Sequence, residues 1–184
     1  MTELASSAQL RAAFIRWALV LVPGTLLLGF LSGQFAGSVA GNPWFAALVK
    51  PSIYPPPATF GIVWSLLYIM MAFALVLIVT ARGARGRGLA IAVWAVQFAL
   101  NLAWSPLFFA AHQISAALGL LVVIDVAVLA TLVLFWRIRP LAGWLLVAYL
   151  AWVLFATLLN WQFLAANPTA DGAAAPAATS RIEI

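Results

Sequence analysis

Residues 94–109 read WAVQFALNLAWSPLFF, and the reading of this stretch decides the fold. It is apolar enough to sit in a membrane, yet Gln97 and Asn101 lie near its middle. Four residues apart, the two amides share a helix face. Trp94, Trp104 and Phe108 fall on the same side, because the five positions step by three or four. An amide without a partner in hydrocarbon costs several kcal/mol, so this stripe must face other helices or a ligand. The plain reading is that the amides cross-link a helical bundle at about 0.6–2 kcal/mol each. The sharper expectation is that Gln97 and Asn101 both face a cavity beside Trp104.

The rest of the chain agrees with a membrane setting. Of its 184 residues 66% are hydrophobic and only 7% charged, against about 25% charged in a soluble domain. There is no cysteine, which excludes disulfides, thiolate catalysis and thiolate-bound metal. One histidine and four acidic residues leave no basis for a metal site or a catalytic dyad, and neither is expected. The net charge of +5 reads as topology information and not as a nucleic-acid surface, since the basic residues sit in short segments between apolar runs.

A bilayer core takes about 20 apolar residues per helix, and five runs qualify: residues 17–40, 59–80, 89–111, 116–136 and 141–164. The expected fold is all-α, a polytopic bundle of five transmembrane helices forming one domain over residues 1–164. An Ala/Pro-rich tail, 165–184, is expected to be disordered. In the first run Pro23-Gly24 predicts a kink, and Gly29, Gly33, Gly37 and Gly41 predict a small-residue ridge for close packing. The same segment also has features of a secretory signal, with Ser38-Val39-Ala40 ahead of Gly41 as a cleavage site. An intact mass starting at Gly41 would identify that alternative.

Residues 41–58 form a long loop stiffened by four prolines in KPSIYPPP, with Trp44, Phe45 and Tyr54 as an aromatic lining. The sharper reading of this loop is a lid over a cavity. Asp125 stands alone inside the fourth run, where an acid costs roughly 2.5–3.5 kcal/mol on insertion scales. It is expected to face the bundle as a hydrogen-bonded structural acid. Seven of the nine basic residues, Arg11, Arg16, Arg82, Arg85, Arg87, Arg137 and Arg139, fall on one side of a five-span chain. The positive-inside rule then puts the N-terminus in the cytoplasm and the C-terminus on the opposite face. Marked faces recur on three runs: Trp64 and Tyr68, then Gln97, Asn101 and Trp104, then Trp152, Ala156 and Asn160. Aromatic walls with a few amides and little charge suit a flat, mostly apolar ligand and do not suit an ion path.

The ordered motifs KPSIYPPP, FGIVWSLLYIMM, QFALNLAWSPLFF and WVLFATLLNW resemble the TspO/MBR family, the tryptophan-rich sensory proteins of bacteria and the translocator (peripheral benzodiazepine receptor) proteins of mitochondria. The resemblance runs from about residue 41 to residue 160. It implies a five-helix bundle in a bacterial cell membrane, often a homodimer surrounded by lipid, with a cavity beneath the loop between the first two spans. It implies tetrapyrrole ligands such as porphyrin or haem, with no resident cofactor. Carried over by motif, the pocket is lined by Trp44, Trp64, Tyr68, Gln97, Asn101, Trp104, Trp152, Ala156, Leu159 and Asn160. The chain departs from the family pattern at Ile53, where Trp is usual, and at Ala148, where Pro is common. Trp161 and Ala165 stand where the animal sterol motif has Tyr and Arg. Sterol recognition of the animal type is therefore not expected.

Three functions follow as expectations. The first is a membrane receptor or sensor that binds tetrapyrroles, transporting them or regulating their metabolism. The second, suggested by the same resemblance, is light-dependent porphyrin breakdown by pocket tryptophans, although no catalytic constellation is present. The third is a transporter coupled through Asp125.

Overall fold

The computed structural model describes residues 6–37 and 41–173. Ser38, Val39 and Ala40, the cleavage site of the secretory alternative, lie outside the described residues, as does the tail from residue 174. All regular structure among the described residues is helical: α1 (Ser7–Phe35), a short α2 (Pro43–Ala47), α3 (Pro57–Val79), α4 (Arg87–Ser105), α5 (Ile114–Ile138) and α6 (Pro140–Ala166). A π-helical turn, Pro106–Ala110, extends α4. Five of these helices, all but α2, are long and apolar enough to cross a membrane. The chain is a multi-pass membrane protein with an all-α fold.

The helix ends follow local chemistry. The first helix starts ten residues ahead of the expected run, because Ser6 and Gln9 form a capping box: Gln9 N–H donates to Ser6 Oγ at 3.2 Å and Ser6 N–H to Gln9 Oε1 at 2.9 Å. It stops at Phe35, so the glycine ridge is only partly helical. Gly29 and Gly33 lie within α1, whereas Gly37 and Gly41 take positive φ (64° and 113°) in the turn that follows. Asn42 caps α2 by accepting the Phe45 N–H at 3.0 Å, with Pro43 at the first helical position. Arg87, one of the residues from which the topology is expected, also has a local role. Its guanidinium donates to Ile78 O at 3.1 Å and Val79 O at 2.8 Å, satisfying the last carbonyls of α3.

Around the bundle α1 packs on α3, α3 on α6, α6 on α5 and α5 on α4, with α4 returning to α1. The core is centred on α3, where Met71, Ala72, Ala74, Val76 and Ile78 are fully buried. The first helix is the most peripheral, and among its residues only Thr25 is buried. Its contacts with the bundle include three that bear on the sequence. The Tyr68 ring occupies the space a side chain at Gly29 would take. Phe14 stacks on Phe73 at 6.2 Å. Ser32 Oγ donates to Leu102 O at 2.6 Å. That last bond has a sequence cause. Pro106 has no N–H to offer the carbonyl four residues back, which is Leu102, and a hydroxyl from α1 fills the gap.

Candidate functional site

Beneath the loop that joins α1 to α3 lies a cavity of about 190 Å³. Phe45 and Tyr54 from the loop, with Pro57, Phe60 and Trp64 from α3, form one side. Asn101, Trp104 and Ser105 from α4 meet Phe108 and Phe109 from the π turn. Trp152, Phe155, Ala156, Leu159, Asn160 and Phe163 from α6 close the opposite wall, with Leu121 from α5. A second, more open cavity of about 500 Å³ runs between α1, α3 and α4. It shares Pro57, Phe60, Trp64, Asn101, Trp104 and Ser105 with the first.

The wall is organised by aromatic packing and two amides, Asn101 and Asn160. Trp104 stacks on Phe108 at 5.2 Å, and its Nε1–H donates to Asn160 Oδ1 at 3.3 Å. Asn160 passes its own N–H to Ile114 O at 3.0 Å, tying α4, α6 and α5 at one point. Asn101 accepts from the Tyr68 hydroxyl at 3.0 Å. Trp152 packs edge-on against Phe60 at 6.0 Å, and its buried Nε1–H has no acceptor among the described residues.

Of the residues expected to line a pocket, Trp64, Asn101, Trp104, Trp152, Ala156, Leu159 and Asn160 meet at the first cavity. Three do not. Tyr68 lines only the second cavity. Gln97 lines neither. It is fully buried one helical turn below Asn101, where the Tyr149 hydroxyl donates to its Oε1 at 3.0 Å. The expectation that both amides face the cavity is therefore corrected for Gln97, which cross-links α4 to α6. Helical period fixes the side of a helix, but not the depth at which a cavity ends.

Trp44 is the other correction. It is 2% exposed and lies behind the cavity wall, edge-on to Phe108 at 5.6 Å and stacked on His112 at 4.4 Å. The next residue, Phe45, faces the cavity in its place, because successive residues of α2 point about 100° apart. Phe45 meets Phe108, Phe109 and Phe163 with ring centroids 5.1–6.2 Å apart. The aromatic content of the loop was visible in the sequence. Which of its rings turns inward depends on the register of a five-residue helix.

Residues outside the cavity have structural work. Asp125 accepts from the Thr157 hydroxyl at 2.8 Å across the α5–α6 seam and lines neither cavity. Lys50 donates to Phe45 O, and to Leu48 O at 2.9 Å, and sits 4.3 Å over the Phe45 ring. Burial lowers its pKa from the ordinary lysine value. Residues 165–173 belong to the tail expected to be disordered, and among the described residues they make specific contacts. The last helix runs to Ala166, and Asn167, Ala170, Asp171, Gly172 and Ala173 all bond to other segments. For Asp171, burial raises the pKa, but hydrogen bonds from Ser115 and Ile114 more than offset it and hold the carboxyl below its ordinary value.

Comparison with known proteins agrees with this architecture. The sequence model of the TspO/MBR family matches residues 19–165. Protein CrtK of Rhodobacter capsulatus is 38% identical over 134 residues, covering 68% of this chain and 79% of that protein. The translocator protein of Homo sapiens is 39% identical over 135 residues, covering 70% and 80%. The tryptophan-rich sensory protein of Cereibacter sphaeroides is 33% identical over 147 residues, covering 77% and 91%. With five apolar helices in the same chain, these matches establish that the protein belongs to the TspO/MBR family.

Proposed function

We propose that this chain is a membrane receptor that binds tetrapyrroles, or similarly flat apolar molecules, in the cavity beneath the loop between α1 and α3, for sensing or for passage through the membrane. The observation that carries the reading is the wall of Trp64, Trp104 and Trp152 around a space with no charged lining residue. Such walls stack on flat rings at about 0.5–1.5 kcal/mol per aromatic pair beyond area burial. The names translocator and sensory carried by relatives support passage and sensing equally. Small-molecule sites usually measure about 300–1,000 Å³. The second cavity lies in that range and the first is smaller. A macrocycle would therefore use both, across the residues that the two cavities share.

Titrating protoporphyrin into the protein in nanodiscs should give saturable quenching of tryptophan fluorescence. Trp152→Ala should weaken binding about tenfold, as expected for losing one aromatic wall of the cavity. Quenching that never saturates in the wild type would end the reading, and an unchanged Kd in Trp152→Ala would place binding elsewhere. In this reading the arginine-rich loops are cytoplasmic and the cavity mouth faces the opposite compartment. A reporter fused after the last residue should be active only outside the cytoplasm, and cytoplasmic activity would reverse the orientation.

A further inference from the structure

We propose that residues 167–173 form a clasp that holds the aromatic lid shut and sets the rate of access to the cavity. The proposal deepens the ligand reading above and rests on it for its biological use, but its central test needs no ligand. The lid is the segment carrying Phe45 and Tyr54, the two loop residues that line the cavity. Its near end is tied to the bundle by Asn42 Nδ2–H, which donates to Phe109 O at 3.3 Å. Beyond that point the tail holds it. Asn167 accepts the Val49 N–H at 2.7 Å and returns its own N–H to Val49 O at 3.0 Å. A side-chain amide thereby pairs with both the N–H and the C=O of one residue, much as a residue of a neighbouring strand would. Trp44 Nε1–H donates to Ala170 O at 3.3 Å.

The tail is itself anchored on its far side, to the turn between the π helix and α5. Gly172 N–H donates to His112 O at 2.8 Å. His112 Nδ1 lies 2.9 Å from Ala173 O. Asp171 Oδ1 accepts the Ser115 N–H at 3.1 Å, in the first turn of α5. The clasp thus joins the lid to a fixed part of the bundle, and Phe45 cannot lift without breaking bonds to Asn167 or Ala170. These bonds are shielded from water, since Asn167 is 8% exposed and Trp44 2%, which makes each cost more to open. The family match ends at residue 165. The clasp lies beyond it and is read from this chain's own contacts.

The absence of cysteine makes access directly measurable. Ala156→Cys puts a single thiol in the cavity wall, and its reaction with a charged, water-soluble methanethiosulfonate in nanodiscs reports lid opening. Adding Asn167→Ala should speed labelling about tenfold or more, the factor set by the two Val49 hydrogen bonds lost from the closed state. Trp44→Phe keeps the ring and drops only its donor; it should give a smaller rise and serves where Asn167→Ala fails to fold. Labelling that stays at the Ala156→Cys rate in folded Asn167→Ala or Trp44→Phe overturns the clasp, and so does Ala156→Cys labelling as fast as a free thiol. Protoporphyrin on- and off-rates should both rise in Asn167→Ala while Kd moves less than about threefold, since an opened lid speeds both directions. Faster labelling together with no porphyrin binding at all would sink the ligand reading and leave the clasp intact.

Discussion

Gly29→Ala should destabilise the bundle by about 1–3 kcal/mol, whereas the same substitution at Gly24 should be neutral or slightly stabilising. Both glycines lie within α1. A Cβ at Gly24 meets nothing within 4 Å, while one at Gly29 falls 2.1 Å from Tyr68 Cε2 and 2.6 Å from Cζ. The ring cannot swing away freely. Its hydroxyl is bonded to Asn101, and it packs against Trp64 at 5.4 Å and Phe98 at 6.0 Å. Either α1 moves outward or the Tyr68–Asn101 bond breaks beside the cavity. Denaturant titration in mixed micelles, followed by tryptophan fluorescence, gives the comparison. Adding Tyr68→Leu to Gly29→Ala should recover part of the loss. Equal stability of the two alanine variants would mean that α1 does not close on α3 at this point.

A second large effect is expected at the pair that the cavity excludes. Tyr149→Phe should cost about 1–3 kcal/mol, and Gln97→Met about the same. Each leaves a buried polar group without the partner it now has. The double variant Gln97→Met/Tyr149→Phe should return close to wild-type stability, because it removes both ends of the bond and also the Gln97 Nε2–H, which has no acceptor among the described residues. Protoporphyrin affinity in the double variant should match the wild type, since Gln97 lines neither cavity. A double variant that is stable but binds tenfold more weakly would return Gln97 to the ligand site. Additive losses in the double variant would show that the hydrogen bond is not what couples the two residues.

Both experiments probe places where one-dimensional pattern and three-dimensional packing part company. The run of residues without charge made α3 legible, because a bilayer allows little else for an apolar stretch of that length. The three to four residue step put Trp64, Asn101, Trp104, Trp152 and Asn160 on inward faces, and they do meet at one cavity. The glycine spacing of four was equally visible, but it could not separate Gly29, which meets a ring, from Gly37 and Gly41, which turn the chain. Nor could composition show that residues 167–173, the first seven beyond α6, bond to other segments. This segment carries no apolar stripe, and its contacts are polar bonds to segments more than 50 positions away.

By itself the sequence determined the class of the molecule, its five spanning helices and the faces those helices turn inward. Length and hydropathy are sums over neighbouring residues, and helical period is a local geometric constant. Only the tertiary structure decided where along those faces the cavity begins and ends, and so admitted Asn101 and dismissed Gln97. It also decided that Phe45 and not Trp44 closes the loop over the site, and that Asn167 fastens it. Depth, rotation of a short helix and long-range pairing depend on which surfaces fill one another when the helices meet. In residues 94–109, Asn101 bonds Tyr68 at the edge of the cavity, and Gln97, one turn away, bonds Tyr149 inside the bundle.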